Sequence, residues 1–304
     1  MAVSSKTSVS RMDFGNFMER LRKRAGKNAT AAGLHLGEVS RFVIGRLEEG
    51  VPTKLTTPQV ESLLWFYRAT DNEREEALAL WADIKRQEKV ARAEGGVGKG
   101  FWTEYTDQIA PNFSKFLRLE ELANRMVAYH PVIFPGLLQG PDYRRSIIKI
   151  DNPELSAVDV ERRLELTALR QNRLGEKGFR VEVLVSEAAV RNQVGRPDIM
   201  AAQLEWLTSW SEHENVSLRL IEFKEIAHRG LTIQPFTRLE FAPGLSGLTK
   251  PPVVYVEGAF SIGYHERDDV IDKYDTAIST MRGVALTEEG TRELLARMMK
   301  EYKA

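Results

Sequence analysis

The stretch Ser40–Gly50, SRFVIGRLEEG, carries two arginines with a phenylalanine next to the first. Guanidinium groups in such a setting suit the recognition of nucleic acid. Each can take guanine O6 and N7 with two hydrogen bonds or hold a backbone phosphate, and a phenyl ring can press on a thymine methyl. On a helical wheel Ile44 and Leu47 form an i,i+3 pair pointing inward, with Val43 beside them. That turns Arg41, Phe42, Gly45 and Arg46 outward. Ser40 stands at the cap position, where its hydroxyl either caps the helix or reaches a phosphate. Phe42 keeps two readings, contact with a base or burial against a protein surface.

The elements that must position these residues are helices. Phe14, Phe17, Met18 and Leu21 recur at helical spacing, with Arg20, Arg22, Lys23 and Arg24 on the other faces. Asn28 can cap a short second helix that Gly37 stops, and Ser40 opens a third that Gly50 and Pro52 close. Thr57-Pro58 starts a fourth helix and Asp71 a fifth. Five short helices, with a glycine between the second and third, fit a helix-turn-helix bundle. Charge agrees with this placement. Residues 1–60 hold ten Lys or Arg against five Asp or Glu, and the remainder holds 33 against 38. A basic head on an acidic body suits a DNA contact at the N-terminus, where Arg22, Lys23 and Lys27 would meet the phosphate backbone.

The fifth helix runs into EGGVGKG, residues 94–100, read as a flexible linker between a head, 1–93, and a body, 101–304. Gly98-Lys99 hints at a phosphate loop, but Gly100 stands where a Ser or Thr is required and no strand precedes it. The body reads as α+β. Helical stretches near 113–129 and 156–175 flank a Pro-braced loop, and a further helix lies near 196–210. FRVEVLVSE, VSLRLIEF, PFTRLEFA and PVVYVEG alternate like strands, giving a small sheet of about four. Two helices, near 268–283 and 287–302, finish the chain.

Several of these segments resemble known regulators. SRFVIGRLEEG looks like the recognition segment S-R-x-x-[IV]-x-R-[IL]-E-x-G of the Xre/Cro-like helix-turn-helix family. YHPVIFPGLLQGPDYRRSI, ERRLELTALRQNRL, AHRGL with PFTRLEF, and PPVVYVEG with DDVIDKYDTAISTMRGVALT resemble the C-terminal domain of antitoxin-like transcriptional regulators of high-GC Gram-positive bacteria. The likeness spans roughly residues 12–300 in the same order. It implies a homodimeric, DNA-binding transcriptional regulator, and a small partner protein encoded alongside. The chain departs from the pattern in the head. Where the family usually has T-Q-E-E-L-A, residues 28–33 read NATAAG, so the phosphate-anchoring glutamine is missing, and Glu38 is an extra residue in the turn. Phe42, Val43 and Gly45 replace the family's usual Ser, Thr or Gln. These departures support an alternative, a protein-interaction module whose head no longer reads DNA.

Catalytic chemistry finds little support in the body. There is no cysteine, so no thiolate nucleophile or thiolate metal site exists. The five histidines form no H-E-x-x-H, no G-x-S-x-G supplies a nucleophile elbow, and most acidic pairs sit at helix starts. The expectation is no enzyme, no metal and no cofactor. The loop PVIFPGLLQGPDY is the better candidate. It is either a core plug or one wall of a ligand or partner pocket involving Phe134, Leu137, Leu138, Tyr143, Arg170 and His228, with Arg144, Arg145 and Arg173 nearby. The start MAVSSKTSVSRMD has no apolar h-region and no run of 18 apolar residues occurs, so a cytoplasmic protein without membrane contact is expected.

Overall fold

The computed structural model describes residues 2–37, 39–93, 101–105, 107–109, 113–258 and 262–304. Glu38 and the linker 94–100, both singled out above, lie outside the described residues. The chain divides into two compact units, residues 1–100 with 241–250, and residues 101–240 with 251–304. The head therefore recruits a loop from far along the sequence, which the expected boundary did not include.

Five helices build the first unit: α1 (Ala2–Arg24), α2 (Ala29–His35), α3 (Arg41–Glu48), α4 (Thr57–Phe66) and α5 (Asp71–Ala93). Their ends are where side chains satisfy the free backbone N–H groups of a first turn. Asn28 Oδ1 accepts from Ala31 N at 2.8 Å, and Ser40 Oγ accepts from Phe42 N at 3.3 Å. Gln59 reaches back to Thr56 N, which moves the start of α4 one residue ahead of the expected cap. One core holds Phe14, Phe17, Met18 and Leu21 with Ile44, Leu47, Leu63, Leu64 and Trp81. The phenyl of Phe14 and the indole of Trp81 lie 5.1 Å apart, and Trp81 Nε1 donates to Thr57 Oγ1 at 3.2 Å.

Residues 241–250 enter this unit through a buried carboxylate. Asp13 on α1, 1% exposed, accepts from Ser246 N at 2.9 Å and from Ser246 Oγ at 2.5 Å. A Cβ on Gly244 would overlap that carboxylate, and Leu248 packs against the core.

The second unit is built on a six-stranded sheet with order β3-β2-β1-β4-β5-β6. Its elements are α6 (Phe113–Leu122), β1 (Ala123–His130), α7 (Pro141–Asp151), α8 (Ala157–Gln171), β2 (Arg180–Ser186), α9 (Glu187–Arg191), α10 (Pro197–Ser211), β3 (Val216–Ile221), β4 (Phe236–Phe241), β5 (Val253–Glu257), β6 (Ile262–His265), α11 (Asp268–Val284) and α12 (Glu288–Lys303). β1, β2 and β3 are parallel and joined by helical crossovers, as parallel pairs require. β4, β5 and β6 pair antiparallel.

Two strands were not anticipated. β1 occupies part of the expected helix 113–129, because α6 passes into it without an intervening turn. β1 sits in the middle of the sheet and is covered on both faces, so it lacks the alternation of a half-buried strand. β6 is a short edge strand of four residues. The terminal helices spend their apolar stripes internally. Ile271, Ile278 and Met281 join the core cluster over one face of the sheet, and Leu294, Leu295 and Met298 are buried too. Arg219 caps the end of α11 by donating to the carbonyls of Arg282, Ala285 and Leu286. No helix of the described residues is long and apolar enough to cross a membrane.

Candidate nucleic-acid interface

Close backbone contacts seat α3. A Cβ on Gly33 would overlap the Val39 carbonyl oxygen, so α2 and the chain entering α3 touch at a residue that must have no side chain. Gly37, at φ +79°, makes the turn between them. On the other side, a Cβ on Gly15 of α1 would overlap the carbonyls of Leu47 and Glu48. Ile44 and Leu47 are buried and Val43 packs against the core, as the wheel requires. Arg41, Phe42 and Arg46 are exposed and Gly45 is half-exposed, so the four fall on the outer face together.

The outer face is partly organised. The guanidinium carbon of Arg41 lies 5.2 Å from the centre of the Phe42 ring, a cation–π contact. Arg46 Nη2 donates to the Pro52 carbonyl at 3.0 Å, which steadies it and leaves its other donors open. Phe42 is 69% exposed.

The flanking cations behave differently from one another. Arg22 is not a surface cation. Its Nε and Nη2 donate to the two oxygens of Glu48 at 2.6 and 2.8 Å, Nη1 donates to the Lys27 carbonyl, and both side chains of the pair are largely buried. This corrects the expectation for Arg22, whose bidentate pair braces α1 against the end of α3. Lys23 is exposed and pairs with Glu19 at 2.8 Å. The Lys27 ammonium sits 4.8 Å from the Phe66 ring centre, and His35 stacks on the same ring with centroids 4.2 Å apart. Trp65, also exposed, carries Arg74 at 3.7 Å from its ring centre. The Trp65–Arg74 and Lys27–Phe66 contacts join residues well separated in the sequence, and no local spacing announces them.

The body loop is a plug. Phe134, Leu137, Leu138, Tyr143 and Arg170 are buried, as a core plug requires. Three glutamines close its polar groups. Gln139 donates to Phe134 O at 2.6 Å, Gln171 to Gln139 O at 2.7 Å, and Gln203 to Leu138 O at 2.8 Å while accepting from Gly140 N. Arg170 is locked on Glu120 by bonds of 2.7 and 2.8 Å. His228 is not part of this group. It adjoins Gly230, which accepts from the Tyr129 hydroxyl, and the following turn bonds to α11 through Thr280. Burial pushes the His130 imidazole down to about 4, so it is neutral near pH 7. Among the described residues no group of three or more His, Asp or Glu could hold a metal ion. A polar cleft of about 670 Å³ opens at the amino ends of β1–β3, where Arg125, Arg180, His213, Glu214, Glu288 and Arg292 meet.

Residues 113–297, well over half of the chain, match the family described as Domain of unknown function (DUF5753). The chain belongs to the DUF5753 family. The DUF5753 match begins at α6 and ends within α12, so it covers the sheet and the plug and leaves the five-helix head outside it. No curated protein matches the chain, and no solved structure does.

Proposed function

We propose that this DUF5753 protein is a DNA-binding transcriptional regulator whose α2–turn–α3 unit is a helix-turn-helix of the Xre/Cro type. One observation carries the reading. α3 spends Ile44 and Leu47 on the core and turns Arg41, Phe42, Gly45 and Arg46 together to the outside, while glycines on two sides fix its seat. A rigid helix with one free cationic face is what a major groove accepts. In this reading Arg41 and Arg46 contact bases, Ser40 stays a cap, and Lys23 and Lys27 meet phosphates. Two copies in a homodimer would address half-sites about 34 Å apart on double-stranded DNA. The body then acts by binding a ligand or small partner protein, with no catalytic step assigned to it.

A selection from random double-stranded DNA tests this, with the unmodified chain and Arg41→Ala run side by side. Enrichment of a two-fold symmetric site whose preference relaxes at one position in Arg41→Ala is the expected result. Recovery of unrelated sequences would refute base reading. A second reading draws on Phe42 and on the loss of Arg22 as a free cation. In it, α3 docks on a protein through its exposed phenyl ring. A Phe42→Ala chain that keeps DNA selection but no longer captures a co-expressed partner would favour that reading for this one residue.

A further inference from the structure

A buried carboxylate is stable only while donors satisfy it, because a charge stripped of both water and partners is strongly unfavourable. Asp13 of α1 is such a group, and its donors come from far along the sequence. Ser246 supplies both, its backbone N–H to Oδ2 and its hydroxyl to Oδ1. The loop that presents Ser246 is folded on itself. Gly244 N donates to Leu248 O at 2.8 Å, Gly247 turns the chain at φ +72°, and Leu248 N donates to Ser246 Oγ at 3.3 Å. Leu248 then packs against the core of the helices.

The turn of α1 that receives this loop also seats α3. Two residues beyond Asp13, a Cβ on Gly15 would lie 2.7 Å from the Leu47 carbonyl oxygen and 2.4 Å from that of Glu48. One residue before Asp13, Met12 meets the turn after α3, where a Cβ on Gly50 would lie 2.8 Å from the Met12 nitrogen. These are backbone contacts with no flexible side chain to absorb a shift, so displacing this turn of α1 moves the end of α3. The ends of the loop are fixed by the sheet. The chain enters it from β4 and leaves it into β5, which pair antiparallel as far as the buried Leu239 and Val253.

We propose that residues 241–250 are a strap that regulates DNA reading, with Asp13 as the positioning residue through which β4 and β5 hold α3. This role rests on the head being a DNA reader, as proposed above. With the strap seated, α3 keeps the pose in which Arg41 and Arg46 face outward together. Whatever moves β4 and β5 acts on α3 through this contact. Coupling of this kind is reciprocal, so DNA bound at α3 must in turn hold the strap in place.

Hydrogen exchange of the full chain, read by mass spectrometry, tests it with two variants. Ser246→Ala removes the hydroxyl donor. Gly244→Ala puts a Cβ 2.1 Å from Asp13 Oδ1 and drives the loop off while leaving Asp13 intact. In both, exchange across 41–48 is expected to rise about tenfold or more while α4, in the same unit, keeps its rate. Leu245→Ala, at an exposed position of the same loop, is the control and is expected to change neither. Should Gly244→Ala fold poorly, the milder Ser246→Ala decides. A second arm adds DNA selected by the unmodified chain. It is expected to slow exchange across 241–250 and to bind Ser246→Ala about tenfold more weakly. If the unmodified chain selects no DNA, the regulator reading falls, and the α3 exchange rates still judge the strap. The strap is overturned if α3 exchanges at the same rate in the variants as in the unmodified chain. A rise shared equally by α3 and α4, or an unchanged affinity of Ser246→Ala for the selected DNA, overturns it too.

Discussion

The α3 helix of the head and the 131–143 loop of the body are written in the same residue types, apolar groups beside arginines, yet the structure uses them in opposite ways. In α3 the arginines stand outside and the carboxylate of Glu48 serves Arg22 behind them. In the loop Phe134, Leu137, Leu138 and Tyr143 are interior, and Arg170 is spent on Glu120. The difference lies in what closes over each segment. Helices α8 and α10 present glutamines to the loop carbonyls, whereas the outer face of α3 is exposed, with no covering contact among the described residues of its own unit. An arginine beside aromatic residues therefore announces a binding surface only where its counter-charge is absent.

The contrast can be broken first at the plug. Glu120→Ala leaves Arg170 buried without its partner, and a loss of ~3–5 kcal/mol follows, seen as a fall in Tm of roughly 10 °C. Chemical denaturation should show it, and a change under 1 kcal/mol would mean the pair is not the anchor described. Arg22→Ala comes next, because it strands Glu48 and loosens the seat of α3. A loss of about 2–4 kcal/mol is expected, with no change in the salt slope of any DNA binding, since Arg22 is a brace and not a phosphate contact. A slope lowered by about one unit would reverse that assignment. Arg41→Ala should do the opposite, leaving stability within ~0.5 kcal/mol and costing ~1–3 kcal/mol of DNA affinity.

The smallest effect concerns pH. Burial pushes the Glu121 carboxyl up to about 7, and its Oε2 has no hydrogen-bond partner. In the unfolded chain the group ionises in the usual carboxylate range near 4.5, so the folded form holds the proton longer. The associated stability is complete below about pH 4.5 and is lost as pH rises through about 7. Glu121→Gln should raise Tm at pH 8 by a few degrees, with the gain shrinking towards pH 5. A gain independent of pH would rule out this carboxyl as the cause.

The head was largely legible because its signals are local. Asn28, Ser40, Gly37 and Gly50 mark helix ends within a few residues of the groups they satisfy. The two faces of α3 follow from a period of 3.6 residues. What stayed hidden depends on distant pairing. The Arg22–Glu48 brace joins residues 26 apart, and the Asp13–Ser246 bonds join residues 233 apart. No pattern along the chain announces either one. β1 was hidden for another reason, since a strand buried on both faces loses the alternation that would distinguish it from a buried helix. The loop was legible as a special segment with a plug as one of its two readings, but what closes it was not, because Gln171 and Gln203 are ordinary helix residues in sequence.

The most direct measurement of the central claim is fluorescence anisotropy of the full chain on labelled DNA from upstream of its own gene, against scrambled DNA, at two salt concentrations. Arg41→Ala and Lys23→Ala would run alongside. The account predicts at least ~10³-fold preference for the upstream DNA, lost in part with Arg41→Ala, and a salt slope lowered by about one with Lys23→Ala. Equal, weak binding to both DNAs that vanishes at the higher salt would contradict it, and would mean that α3 does not read bases.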